Sequence, residues 1–262
     1  MLISAAIYLA VGAVGGFLAG MLGVGGGILI VPMLGYVFLQ QGYSAESIMH
    51  LAVGTSMATI TITSLSALRA HHRRGSVVWP LFRKITPWLA LGAIAGGLSA
   101  GHFSTKQLLT LLAVLEVIVA VQLILNVTPA PKPRSLGAGE AAVAGAAIGG
   151  VSTMAGVGGG VLLVPLFLFL SVPMRQAVGT SSACGFPISL IGTLVFLSYG
   201  FTSDAGEAGS VGYVHIPAFL GIAVASVVTA PLGVAAAHRL PLPWLRRIFA
   251  VFLLALAMRM LW

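Results

Sequence analysis

The side chains and backbone sites able to do chemistry are few and grouped. Two glycine clusters, Gly23-Val24-Gly25-Gly26-Gly27 and Gly156-Val157-Gly158-Gly159-Gly160, interrupt long aliphatic runs. Helix propensity collapses at such a cluster, and the half-helix that resumes after it opens with unpaired N–H groups carrying about half a unit of positive charge. A terminus of this kind suits an anion. Thr55 and Ser56 follow the first cluster, and Thr180, Ser181 and Ser182 follow the second. Their hydroxyls could donate to an oxyanion, or bond back to helix carbonyls. His50 and Arg175 stand at matching positions just ahead of these hydroxyls. Arg175 could hold an anion bidentately, or reach out to lipid headgroups. Glu116 falls near the centre of an apolar run, where an ionised carboxylate is costly and a functional role is the default reading. Such a carboxyl suits proton coupling; a neutral carboxyl bonded to a neighbouring helix is the alternative.

Other chemistries lack their residues. The chain has five acidic residues and no nucleophile and base in one short motif, so no enzymatic site is expected. Its six histidines are scattered and Cys184 is the single cysteine, so neither a metal site nor a cofactor is expected. Neither glycine cluster follows a strand, which sets aside a dinucleotide fingerprint. No nucleic-acid partner is expected. With Glu116 the one acid in the apolar core, a cation carrier is disfavoured and a small anion favoured.

The elements that must position these groups are membrane helices. Of 262 residues 58% are hydrophobic and 7% charged, with mean hydropathy +1.07, whereas a water-facing domain needs about 25% charged residues. The partner is a lipid bilayer. A crossing takes about 20 apolar residues, which leaves room for about eight to ten segments, and apolar runs this long argue for helices over a barrel. Apolar segments fall at 5–39, 50–68, 87–101, 107–127, 139–172, 175–200, 214–233 and 244–262. The first and fifth are overlong, and each is expected to be a pair of short helices meeting at its glycine cluster. The N-terminal stretch reads as mature protein. Gly16 with Gly20, Gly92 with Gly96 and Gly97 with Gly101 have the spacing of close helix packing.

The segments repeat. GVGGGILIVP at 23–32 matches GVGGGVLLVP at 156–165, and AVGTS at 52–56 recurs at 177–181. This implies an internal duplication, with a first membrane repeat at 1–127, a proline-rich linker at 128–138 and a second repeat at 139–262. Loops rich in Lys and Arg face the cytoplasm. Arg69, Arg73, Arg74, Arg83 and Lys84 form one such loop, Lys132 and Arg134 lie in the linker, and Arg239, Arg246 and Arg247 make a third, while Asp204 and Glu207 mark an outer loop. These assignments agree only if both broken segments return to their own side. The expected class is therefore all-α: a polytopic bundle of two inverted repeats, each a glycine-tipped hairpin plus three transmembrane helices. Inverted repeats with interrupted helices are the build of many secondary transporters, whose substrate site lies near the midplane.

The doubled GVGGGxLxVP motif, each copy followed by AVGTS, resembles the TauE/SafE family of sulfite and organosulfonate exporters over essentially the whole chain. The resemblance implies a multi-pass permease of the bacterial inner membrane, often a homodimer, that exports small sulfur-containing anions or related carboxylates under an ion gradient. By position it carries the glycine breaks onto Gly23, Gly25, Gly26, Gly27, Gly156, Gly158, Gly159 and Gly160, and the hydroxyl-bearing segments onto Thr55, Ser56, Thr180 and Ser181. The copies differ: His50 faces Arg175, and Glu116 has the apolar counterpart Leu253, so an asymmetric site is expected. The expected substrate site comprises the two clusters, the five hydroxyl residues, Arg175 and His50, with Glu116 as coupling residue. A passive anion channel and a non-transporting scaffold or sensory partner are the alternatives.

Overall fold

The computed structural model describes residues 2–23, 25–125, 135–202, 208–239, 250–251 and 253–258. Among them run α1 (Leu2–Leu22), α2 (Gly27–Gln40), α3 (Ile48–Arg73), α4 (Trp79–Ala100), α5 (Thr105–Leu125), α6 (Ala138–Met154), α7 (Gly160–Phe169), α8 (Met174–Thr202) and α9 (Ile216–Arg239). A two-residue ribbon, β1 (Ser210–Val211) with β2 (Val214–His215), precedes α9, and residues 250–251 and 253–258 are helical again. Among the described residues five helices are long and apolar enough to cross a bilayer, namely those containing Ser4–Leu22, Ile48–Arg73, Thr105–Gln122, Met174–Tyr199 and Ile216–Ala237. The chain is an all-α polytopic membrane protein. Most of the linker, the acidic loop with Asp204 and Glu207, and Arg246 and Arg247 lie outside the described residues.

Both glycine clusters break their helices. The chain turns between α1 and α2 and again between α6 and α7, with Gly26 and Gly159 as N-caps in left-handed conformation at φ 76° and 73°. The arms are unequal: α1 has 21 residues against 14 for α2, and α6 has 17 against 10 for α7. One boundary differs from the sequence reading. The third segment starts at Trp79 and not near Pro87, so Arg83 and Lys84 sit exposed in the first turns of α4 instead of in a loop. Pro80 opens this helix at a position where its missing N–H costs no hydrogen bond.

Glycines set how the helices pack. Gly12, Gly16 and Gly20 lay α1 against Ile222, Ser226 and Ala230 of α9, and a Cβ at any of them would collide with the α9 backbone. On the other side of the molecule, Gly145 and Gly149 lay α6 against Ile85, Trp88 and Leu89 of α4, with Gly92 on Ala146 and Gly96 on Gly150. Such small-residue seams let dispersion hold helices together in lipid, where no hydrophobic drive joins them. Gly97 and Gly101 lie on Val195 and Tyr199 of α8.

Contacts recur in pairs, several of them joining the N-terminal helices to the C-terminal ones. The α1–α9 seam corresponds to α6–α4, the α3–α9 contact to α8–α4, and α2–α3 to α7–α8. Between the halves, α3 and α8 cross in opposite directions: Gly54 meets Phe196, Met57 meets Gly192 and Ser64 meets Gly185. Thr61 and Thr193 bond hydroxyl to hydroxyl at 3.3 Å along this crossing.

Candidate functional site

The two glycine turns touch each other at the middle of α3. A Cβ on Gly25 would stand 3.1 Å from Gly158 Cα, and one on Gly27 would strike Gly156 O and come within 2.7 Å of Ile60 Cδ1. Ile60 also packs on Gly158. Side chains are excluded here for two reasons at once, since Gly23, Gly25, Gly26, Gly156 and Gly159 all have φ between 71° and 79°, a region costing an L-residue about 1–2 kcal/mol. The N-termini of α2 and α7 therefore begin beside this contact. Their first N–H groups have no acceptor within their own helices, and both dipoles present their positive ends.

The repeated hydroxyls lock this arrangement together. Ser56 Oγ donates to Gly156 O at 2.8 Å, and Ser181 Oγ donates to Gly23 O at 2.8 Å, so each AVGTS segment grips the opposite cluster. The threonines do a second job in parallel. Thr180 Oγ1 accepts the Val78 N–H ahead of α4 at 2.9 Å, and Thr55 Oγ1 accepts the His215 N–H ahead of α9 at 2.9 Å. Gly179 and Gly54 allow this by letting Ser76 O and Tyr213 O approach their backbones. Four of the hydroxyls expected to face an anion are thus bonded to backbone. Ser182 is not: the residue is 4% exposed, and its buried Oγ has no hydrogen-bond partner among the described residues.

Ser182 lines a small cavity beside the crossing. Its other walls are Ala19, Gly23, Gly25, Ser64, Ala67, Gly158, Ser181 and Gly185, and the space open to a water centre is about 10 Å³, close to that of a single water. Ser64, Ala67 and Gly185 went unnoticed in the sequence, where they read as small residues of ordinary helix packing.

The whole chain fits one known family. The family model described as sulfite exporter TauE/SafE matches residues 8–260. The chain belongs to the TauE/SafE family. It is 35% identical over 253 residues to a protein of Haemophilus influenzae named "Probable membrane transporter protein", covering 96% of each chain. A protein of Methanocaldococcus jannaschii with the same descriptive name is 26% identical over 234 residues, with 86% of this chain and 83% of the relative covered. One from Xylella fastidiosa is 27% identical over 259 residues, covering 94% and 91%. No solved structure matches. As a TauE/SafE member the chain is a membrane transporter.

The remaining candidates of this TauE/SafE chain lie away from the crossing. His50 is buried, with Nε2 3.2 Å from Ala100 O at the end of α4 and its ring against Tyr213 at 5.3 Å. Arg175 is exposed in the first turn of α8. Glu116 is fully buried on α5, and neither carboxyl oxygen has a hydrogen-bond partner among the described residues. Its side chain does not line the cavity beside the crossing. No group of three or more potential metal ligands exists among the described residues. At the ribbon, His215 accepts the Ala218 N–H at Nδ1 (3.2 Å), and its Nε2 lies 3.0 Å from Tyr43 Oη. Tyr8, Phe38 and Tyr43 meet the imidazole edge-on, and burial pushes its pKa down.

Proposed function

We propose that this protein is a secondary transporter that exports a small anion, sulfite or an organosulfonate, across the bacterial inner membrane by alternating access. The observation that carries this reading is the meeting of the two glycine turns at the middle of α3, which aims two positive helix ends at one place. Non-helical backbone at membrane depth is tolerated only where protein or a water-filled cavity surrounds it. An internal duplication at 1–127 and 139–262 supports the reading. So does the opposite running of α3 and α8, which carry the same AVGTS segment: copies of inverted topology place equivalent helices antiparallel. Arg69, Arg73 and Arg74 at the far end of α3 put that end in the cytoplasm. Glu116 is the coupling residue of the proposal, because an unpartnered buried carboxyl takes up and releases a proton in place of carrying a fixed charge.

The test is flux of labelled sulfite, with sulfoacetate and taurine as comparators, into proteoliposomes under an imposed pH gradient. Uptake that rises with the gradient and disappears in Gly26→Leu and Gly159→Leu is the expected result. Unchanged flux in both glycine variants refutes a site at the crossing. Flux that equilibrates without responding to the gradient identifies a passive anion channel.

A further inference from the structure

The two copies differ where they meet, and the difference decides which side of the crossing keeps free space. The register that pairs Gly54 with Gly179 also pairs Met57 with Ser182, Ile60 with Gly185, Ser64 with Ser189 and Ala67 with Gly192. The register that pairs Gly23 with Gly156 pairs Ala19 with Ser152. The cavity walls Ala19, Ser64, Ala67, Ser182 and Gly185 thus have a mirror set: Ser152, Ser189, Gly192, Met57 and Ile60. That mirror space is filled. Met57 Sδ lies 3.0 Å from where a Cβ on Gly192 would stand, Ile60 Cγ2 lies 2.8 Å from the same point on Gly158, and both side chains are fully buried.

We infer that the anion's seat is the space between Ser64, Ser181, Ser182 and Gly185, entered from the cationic-loop side, and that Met57 and Ile60 are the seal closing the opposite side. This rests on the transport reading above and adds to it the residues that set access. Ser64 and Ala67 lie on the half of α3 that leads to Arg69, Arg73 and Arg74, so the cavity is on the cytoplasmic side of the crossing. The Ser182 hydroxyl is buried, unpartnered and part of the cavity wall. A buried hydroxyl without a partner is costly unless something fills its site. In the state seen here the space takes a single water; widened toward the cytoplasm, with the positive ends of α2 and α7 alongside, it suits a small oxyanion, which accepts hydrogen bonds from a hydroxyl and from backbone N–H groups together. The sealed side has orphans of its own. Ser152 Oγ and Thr153 Oγ1 are buried without partners, and Thr153 Cγ2 packs against Gly192 beside Met57. In the outward-open state, Met57 and Ile60 withdraw and these two hydroxyls become the outer lining. Large apolar side chains in one copy and small residues in the other thereby make the cytoplasmic side the easier one to open.

Accessibility of single cysteines tests this without requiring flux. On a Cys184→Ala background, Ser182→Cys and Ser64→Cys are expected to react with a charged, impermeant methanethiosulfonate at least about ten-fold faster in inside-out vesicles than in right-side-out vesicles. Ser189→Cys is expected to react slowly from both sides. Adding Met57→Ser and Ile60→Gly, the residues the other copy uses, should speed Ser189→Cys at least about ten-fold from outside; Ile60→Ala is the milder variant should the pair fail to fold. Ser182→Cys reacting equally from both sides, or Ser189→Cys unmoved by opening the seal, overturns the inference. Correct one-sided labelling in a protein without flux for any tested anion would leave the access assignment standing and remove the transport reading.

Discussion

Thr55→Val separates a brace from a substrate ligand at one atom. The substitution keeps the shape of the side chain and removes the oxygen that accepts the His215 N–H at 2.9 Å in a buried position. The N–H is left without its acceptor, at a cost of about 1–3 kcal/mol. For a chain of this size about 1 kcal/mol moves the unfolding midpoint by about 2–4 °C, so Thr55→Val should melt about 4–8 °C lower, taking 2 kcal/mol as the central value. Thr180→Val removes the equivalent bond to Val78 N–H, also 2.9 Å, and should cost a similar amount. The assay is tryptophan fluorescence in detergent at one fixed scan rate, because the apparent midpoint of an irreversible transition depends on that rate. Sulfite counterflow is measured on the same preparations. A midpoint unchanged within 1 °C together with a several-fold rise in KM would refute the brace and return Thr55 to the list of anion ligands.

Glu116→Gln keeps size and removes titration; it should leave expression and midpoint near wild type while abolishing the pH-gradient dependence of flux, and a retained gradient response excludes Glu116 from coupling. The burial that lowers the His215 pKa stabilises the fold above the ordinary imidazole value near 6.5, and this contribution is lost as pH falls through the folded-state pKa. Acidification from about pH 7.5 to 5 should therefore lower the wild-type midpoint more than that of His215→Gln, and equal losses would show the imidazole does not contribute. Gly96→Val forces a branched side chain into the Gly150 backbone and should cost about 1–3 kcal/mol by overpacking. Gly139→Ala, with nothing within 4 Å and no positive φ, is its control and should leave the midpoint unchanged.

The breaks were legible because glycine acts locally: four glycines within five residues end a helix. The close-packing glycines were legible for a similar reason, as spacing alone puts Gly16 and Gly20 on one helix face. What could not be read was which group faces which. The hydroxyls of Ser56 and Ser181 could donate equally to a ligand or to backbone, and only the crossing of the two clusters shows that each holds a carbonyl of the opposite cluster. Matching sequence positions also placed His50 and Arg175 as equivalents, yet one is buried under Tyr213 and the other is exposed. Met57 and Ile60 carried no signal, because an apolar residue in an apolar helix reads as core. Arg83 and Lys84 read as loop ahead of the third segment, whereas long cationic side chains let a helix extend past the apolar zone.

The seams between halves have a consequence for how the chain is made. Since α1 docks along α9, this helix waits for a partner made much later, with α2 through α8 between them. The α4–α6 seam joins helices separated by one other helix and the linker. Long-range pairings of this kind form late, because loop closure precedes any contact that rewards it. Until α9 arrives, the glycine-lined face of α1 has only lipid as a neighbour. Before that, α1 keeps its contacts with α2 and α3, so the α1–α9 seam closes the bundle late in synthesis.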